Sequence, residues 1–557
     1  MNERPIIVQS DYTILLETST SNFEEVRDQI ILFSELLKSP DFVHTYLITP
    51  LSLWNAASTG MEAKKILQIL KKYSKYPIPE MVKLEVNQQI SRYGIVKIYK
   101  SENKDFLTVK TDNFALAEEM RANKKLKKMG LDRGDTLKEF TLPIVNRGNF
   151  KLQMTKIGYP VNDLAGYITG NPFNIELKTK LTNLTPFALR DYQRAAVDSF
   201  YANGSEYGGS GTIILPCGSG KTIIGLGIMD KIKADTLIIS TNITAIRQWR
   251  EEILDKTNVS NDDIGEYSGS IKEIKPITIA SYQIVTYRKN RNSKFKHFSI
   301  FNERDWGLII YDEVHLLPAP VFRVVSSLQS RRRVGLTATL VREDGLEKEV
   351  FALIGPKKYE LPWKRLEQTG WIATSHCTEY RIPLIENMQI QYAIANKRGK
   401  FRIASENSGK YEVIDLLLEK HKEDNILIIG QYISQLTELK KRYGFPIITG
   451  KTPHKKRAEL YKAFKDGKEK VLIVSKVANF AVDLPDANVA IQVSGTFGSR
   501  QEEAQRLGRI LRPKKKDNNA YFYTLVTENT IEQIYAANRQ LFLIEQGYKY
   551  SIEFFKE

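Results

Sequence analysis

Gly211-Thr212-Ile213-Ile214-Leu215-Pro216-Cys217-Gly218-Ser219-Gly220-Lys221-Thr222, running into Ile223-Ile224-Gly225-Leu226-Gly227-Ile228-Met229, is the stretch whose reading decides the fold. Thr212–Leu215 is an apolar run of strand type, and the residues after Thr222 have helical character. Between them, Gly218, Ser219 and Gly220 let the backbone curl so that successive N–H groups face phosphate oxygens beside a helix N-terminus. Lys221 then neutralises the β and γ phosphates, and the Thr222 hydroxyl ligates Mg²⁺. The longer form of this pattern has glycine where the chain has Leu215, so the match is to the shorter form. The strand before and the helix after give it its weight.

Downstream, the run Gly307-Leu308-Ile309-Ile310-Tyr311 delivers Asp312-Glu313-Val314-His315 to a strand's C-terminal end, where ligands of open α/β sheets bind. Asp312 suits Mg²⁺, Glu313 can orient and deprotonate an attacking water, and His315 can sense the γ-phosphate. Upstream, Arg190-Asp191-Tyr192-Gln193 offers an amide that can read adenine's Hoogsteen edge, with Arg190 or Tyr192 against the base. Those residues predict an ATP site with Mg²⁺.

Working outward, short apolar runs alternate with amphipathic stretches: GTIILP, TLIIS, ITIAS, LIIYDE and RVGLTAT, then NILIIGQ, PIITG, KVLIVS, VAIQVS and AYFYTLV. Buried strands of parallel sheets with crossover helices account for this, so the fold class is α/β with two tandem parallel-sheet domains. In the second, Gln505-Arg506-Leu507-Gly508-Arg509-Ile510-Leu511-Arg512 spaces arginines on one helix face. The forked, permanent charges of Arg509 and Arg512 suit a transferring phosphoryl group. Ion pairs with Glu502 and Glu503 are the plainer alternative.

The first part of the chain reads as α+β. Thr49-Pro50 opens a short helix ended by Gly60; AKKILQILKKY and PEMVKLEVNQQISRY follow at helical spacing, and GIVKIY and DFLTVKT form a hairpin. That order is a winged helix's, and an ordinary packed α/β domain fits it as well. Residues 121–138 are polar and lysine-rich and read as a boundary, their lysines on a solvated helix face or a linker.

Composition sets the outer bounds. The chain has 557 residues, 42% hydrophobic and 26% charged, as in soluble globular proteins. It has two cysteines, Cys217 and Cys377, too few for a disulfide framework or a structural zinc site. A formal charge of +17 favours a polyanion partner. The start MNERPIIVQSDY lacks a signal peptide's apolar core, and no apolar run spans a membrane, so an intracellular protein is expected.

Together GSGKT, DEVH, LTAT and QRLGRILR resemble the superfamily 2 helicases, and more closely the xeroderma pigmentosum group B (XPB) DNA repair helicases. Arg342-Glu343-Asp344 is similar to that family's RED motif, VLIVSKVANFAVDLPDANVAIQ to its fifth motif, and HTYLITPLSLWNAASTG with RYGIVKIY to its N-terminal domain. The resemblance implies two RecA-like motor domains, at 185–362 and 363–557. Before them come an XPB-type, winged-helix-like domain at 1–140 and a damage-recognition-like connecting region at 141–184. A thumb-like insertion at about 384–405 would bring Lys397, Arg398, Lys400, Phe401 and Arg402 to DNA, a mobile surface loop being the alternative.

It also implies that Asp483 contacts ATP, that Arg342, Glu343 and Asp344 act at the DNA fork, and that Thr241, Asn242, Ser281, Gln283, Gly450 and Ser475 contact the DNA backbone. The implied activity is a 3′→5′ DNA helicase or translocase opening DNA for repair or transcription. Its partners would be forked or duplex DNA, and a repair nuclease or other repair protein. The motor would be monomeric and of the bacterial or archaeal form, cytoplasmic and nucleoid-associated rather than nuclear. A duplex translocase or clamping switch that leaves the strands paired, a degenerate ATPase that only binds, and an RNA helicase are the competing readings.

Overall fold

The computed structural model describes residues 4–38, 42–205, 207–216, 218–290, 293, 295–317, 321, 328–329, 331–338, 346–361, 363–475, 487–497, 500–511, 518–546, 548 and 550–555. The chain divides into two compact units: Met1–Ile214 with Gly220–Glu360, and Leu361–Glu557 with Leu215–Ser219.

The first unit contains a seven-stranded sheet in the order Ile264–Tyr267, Ile277–Ser281, Thr236–Ser240, Leu308–Asp312, Arg332–Thr337, Ser210–Ile214, Lys357–Glu360. Every pairing is parallel. Its central strands are Ile-, Leu- and Val-rich because helices cover both faces, so no polar alternation is tolerated. The five runs expected as strands of this sheet are all strands; the two edges, Ile264–Tyr267 and Lys357–Glu360, are additions.

The second unit carries another seven-stranded, wholly parallel sheet. Its order is Ile447–Ile448, Val471–Ser475, Ile426–Gly430, Val489–Gln492, Asn519–Thr527, Thr374–Ile382, Tyr550–Phe554. A fully buried ion pair crosses its core. Lys410 Nζ donates to both Glu532 carboxylate oxygens and to the Val493 carbonyl, each at 2.9 Å. Glu532 Oε2 also accepts the Thr527 N–H at 2.9 Å.

The N-terminal region is α+β, as expected. Ile6–Val8, Thr13–Glu17, Val43–Leu47 and Glu35–Lys38 form an antiparallel sheet in that order. The three expected helices are Pro50–Ser58, Ala63–Tyr73 and Glu80–Arg92. Pro50 takes the first-turn position, and Thr49 closes a capping box with Ser52, satisfying amides the helix leaves unpaired.

The hairpin behaves differently from a wing. Val96–Lys100 and Phe106–Thr111 are central in a five-stranded sheet completed by Glu139–Pro143, Asp132–Arg133 and Asn162–Asp163. Val96, Ile98, Leu107, Val109, Leu116, Phe140, Phe150 and Met154 form one core. That sheet runs across residue 140, so the expected boundary there is corrected: the module spans about 94–166. The lysine-rich stretch read as a boundary is instead partly helical, with Leu126 of Lys124–Lys128 buried in the same core. The lysines lie on the solvated face of this helix, the alternative to a linker, and the one apolar residue docks it.

Candidate nucleotide site

Strand Ser210–Ile214 leads into the glycine turn, and helix Lys221–Ile232 follows. Gly218 and Gly220 have φ of 80° and 81°, left-handed backbone that favours glycine. At Gly220 a Cβ would also stand 2.6 Å from the Gln193 amide nitrogen. Gln193 is buried, and its Oε1 accepts the Arg190 N–H at 3.0 Å, so a side chain at position 220 would meet a held amide. Arg190 also donates to the Tyr192 hydroxyl at 3.1 Å.

Asp312 and Thr337 end adjacent strands of the first sheet, and Ser240 ends the strand on the other side of Asp312. Asp312 Oδ2 accepts from Ser240 Oγ at 2.9 Å and from Trp249 Nε1 at 3.0 Å. Two fixed donors hold the carboxylate, leaving Oδ1 as a hard oxygen of the kind Mg²⁺ prefers, with the Thr222 hydroxyl in the first turn of Lys221–Ile232. Burial, then the charge of Glu313, pushes the Asp312 carboxyl above the ordinary range.

Glu313 follows with φ 50° and ψ 57°, a left-handed conformation that costs a non-glycine residue strain and recurs at functional positions. Its Oε1 is 3.4 Å from Lys221 Nζ, and its Oε2 is 3.4 Å from His315 Nδ1. Oε2 is buried and has no hydrogen-bond partner among the described residues. Burial pushes this carboxyl up; Lys221 and His315 outweigh it and hold the group below the ordinary range, hence ionised. The His315 ring is buried and pairs with Thr337 Oγ1 at 2.7 Å. A chain of contacts therefore runs Lys221–Glu313–His315–Thr337, from the phosphate turn to the LTAT segment. It can polarise a water and report γ-phosphate occupancy to the neighbouring strand.

Trp249 and Ser240 are not singled out by the sequence, and Thr337 enters there only as part of LTAT. Trp249 belongs to the periodic apolar face of helix Ile243–Lys256, and nothing in that periodicity says that its indole N–H meets Asp312. Gly225 makes room for it: a Cβ there would lie 2.5 Å from the indole edge. Gly225→Ala is expected to displace the ring and cost about 1–3 kcal/mol of stability. Chemical denaturation followed by tryptophan emission checks this, and an unchanged midpoint would contradict it.

The expected nucleic-acid contacts divide into groups. Gln283 and Gly450 are exposed and Thr241 half-buried. Asn242 Oδ1 accepts the Ala245 N–H at 3.0 Å and Ser281 Oγ the Ile284 N–H at 3.3 Å, so both cap helices while keeping their own hydrogens to donate. Ser475 is buried, its hydroxyl without a partner among the described residues. The stretch 384–405 is a pair of helices, Glu386–Ile394 and Lys397–Ser405, with Lys397 and Arg398 exposed. Phe401 is a correction. Its ring is 0% exposed, packed on Phe497 and Tyr535 at centroid distances of 4.6 and 5.1 Å, so it cannot stack on a base there. On a helix, its position one turn from buried Ala404 and Ser405 turns it inward. Arg509 lies on helix Arg500–Ile510, its side chain outside the described residues. Arg342, Glu343, Asp344, Asp483 and Arg512 lie outside the described residues altogether.

Comparison with known proteins adds to this geometry. The family described as "ERCC3/RAD25/XPB C-terminal helicase" matches residues 366–554. "Helicase conserved C-terminal domain" matches 6–135, and "Type III restriction enzyme, res subunit" matches 186–342. The chain is 47% identical over 554 residues to a DNA 3'-5' helicase XPB of Mycobacterium tuberculosis, covering 99% of this chain and 98% of that one. A "General transcription and DNA repair factor IIH helicase/translocase subunit XPB" of Enterocytozoon bieneusi is 34% identical, with 98% and 92% covered. Among solved structures, an ATP-dependent Type ISP restriction-modification enzyme LlaBIII bound to DNA shares the fold at a TM-score of 0.50 and 12% identity, over 66% of this chain and 31% of that one. With Lys221, Asp312, Glu313 and His315 assembled on a parallel sheet and near-half identity from end to end, the chain belongs to the XPB family of DNA helicases.

Proposed function

We propose that the protein is an ATP-dependent motor that moves 3′→5′ on DNA and opens or remodels the duplex in DNA repair or transcription-linked processes. The observation that carries this is the Lys221–Glu313–His315–Thr337 chain, a hydrolytic site wired to an adjacent strand end. Gly218, Ser219, Gly220 and Lys221 hold the ATP phosphates, and Gln193 with Arg190 is assigned to the base on sequence pattern. Thr222 and Asp312 take Mg²⁺, which supplies charge neutralisation and orientation of the phosphates. Glu313 orients the attacking water and draws its proton. Arg509 and Arg512 are assigned to the γ-phosphate and Asp483 to the nucleotide, on sequence pattern and family resemblance.

Thr241, Asn242, Ser281, Gln283, Gly450 and Ser475 are assigned to the DNA backbone, Arg342, Glu343 and Asp344 to the fork, and Lys397 and Arg398 to phosphates. DNA is the partner. A repair nuclease or other repair protein acting beside a monomeric, nucleoid-associated motor completes the reading. Among the described residues no helix is long and apolar enough to cross a membrane.

On this reading a fork with a 3′ loading strand is opened, a 5′-tailed fork is not, and DNA stimulates ATP hydrolysis more than RNA does. Strand displacement on forks of opposite polarity tests it; equal opening of both would overturn the polarity. Burial of Phe401 favours a second reading, translocation along the duplex without strand separation, because it removes a ring expected to stack on unpaired bases. Displacement of a triplex strand from blunt DNA, with forks left closed, would select that reading.

A further inference from the structure

Opposite the nucleotide turn, beside Ser210 at the start of strand Ser210–Ile214, lies a cavity of about 260 Å³. Three parts of the first unit wall it: Ala57 and Ser58 from the first N-terminal domain, Tyr93, Lys151 and Tyr167 from and beside the five-stranded module, and Phe351 from the first motor domain. Its chemistry is uneven. Arg147 donates to Asp163 Oδ2 and Oδ1 at 2.9 and 2.7 Å, and Lys151 Nζ stands 3.1 Å from Asp163 Oδ2. Arg333 is spent on neutral oxygens, among them Gln329 Oε1 at 2.7 Å and the Leu353 carbonyl at 2.6 Å. Three cations, at most 6% exposed, thus lie around one carboxylate, with which only Arg147 and Lys151 pair directly.

Buried charge is tolerated when balanced, and this cluster carries surplus positive charge. Lys151 bears the consequence. Burial, helped by Arg333 and Arg147 and opposed by Asp163, holds its ammonium down to about 7. Two of its three hydrogens are taken, by Asp163 and by Gln329 Oε1 at 2.9 Å, leaving one uncommitted among the described residues.

We propose that this cavity is a second ligand site, separate from the nucleotide site, for a small organic carboxylate with a flat apolar body. The carboxylate pairs with Lys151, and the body lies among the Tyr93, Tyr167 and Phe351 rings. Such a ligand touches three domains at once and fastens the N-terminal domains to the motor by mass action.

The groups facing Lys151 are Asp163, Arg147, Arg333 and Tyr167, with Tyr93 and Lys358 across the cavity. An anion there favours the charged ammonium, so binding takes up a proton near neutrality. Affinity then falls as pH rises through the ligand-free value, by up to roughly 25-fold between about pH 6.5 and 8.5.

Titration calorimetry of the full chain with benzoate tests this, using benzamide as the uncharged control and a Lys221→Ala background to silence the phosphate turn. The expected result is benzoate binding with proton uptake, no benzamide binding, and at least about tenfold weaker binding in Lys151→Met. Ser58→Trp, which fills the cavity and leaves the charge cluster intact, is expected to block binding as well, and decides the matter if Lys151→Met fails to fold. No benzoate binding at concentrations on the order of 10 mM, or binding indifferent to Ser58→Trp and to pH, would overturn the proposal and leave the motor reading untouched.

Discussion

Glu313→Gln is expected to keep ATP bound while its hydrolysis falls by about 10²–10⁴-fold. The amide keeps the size and shape of the side chain but cannot accept the water's proton. It also loses the charge that Lys221 and His315 hold ionised. Lys221 then no longer faces a competing carboxylate at 3.4 Å, so nucleotide affinity is expected to hold or rise. Lys221→Ala removes the cation itself and is expected to lose both binding and turnover. Phosphate release, measured beside equilibrium binding of a fluorescent ATP analogue, separates the two variants. Normal turnover in Glu313→Gln would remove Glu313 from the role of base, and lost ATP binding would show that its charge serves the turn instead.

The second large effect is one of stability, in the second unit. Lys410→Met leaves the Glu532 carboxyl at 0% exposure without its lysine, and about 3–5 kcal/mol of stability is expected to be lost. Adding Glu532→Leu should recover most of it, because the desolvation cost of both charges disappears together. Urea denaturation of the full chain, followed through the second unit's transition, reads both changes. A double variant as unstable as the single one would mean that the Thr527 N–H, deprived of its carboxylate, and the Val493 carbonyl, left with the Gln435 amide at 3.4 Å, carry more of the loss than the charge does.

What the sequence made legible follows from where each residue's constraint lies. The central strands of both sheets are buried on two faces, and continuous runs such as Leu308–Tyr311 and Ile426–Ile429 announce that. Thr374–Ile382 is a nine-residue strand that no apolar run reveals. Its His376, Glu379 and Arg381 are accommodated by partners remote in sequence or local, Asn519, Gln540 and Glu379 among them. Tyr550–Phe554 lies at the sheet edge with its last four residues exposed, so polarity carries no penalty there.

The glycine turn and Asp312-Glu313 are local patterns and read directly. Ser240 and Trp249 join Asp312 only through the parallel register of neighbouring strands and a helix crossing, which sequence spacing does not encode. The hairpin Val96–Thr111 shows the same limit. Its strands were evident, while its partner Glu139–Pro143, beyond a helical stretch that resembled a linker, was not.

The parallel sheet of the first unit has a consequence for synthesis on the ribosome. Strand Ser210–Ile214 is flanked by Arg332–Thr337 and Lys357–Glu360, both emerging more than a hundred residues later. At ordinary elongation rates, a nascent chain holds the future ATP-binding strand with both edges bare for on the order of ten seconds. During that interval an apolar strand with two unpaired edges is open to misassociation, a hazard that the finished sheet no longer carries.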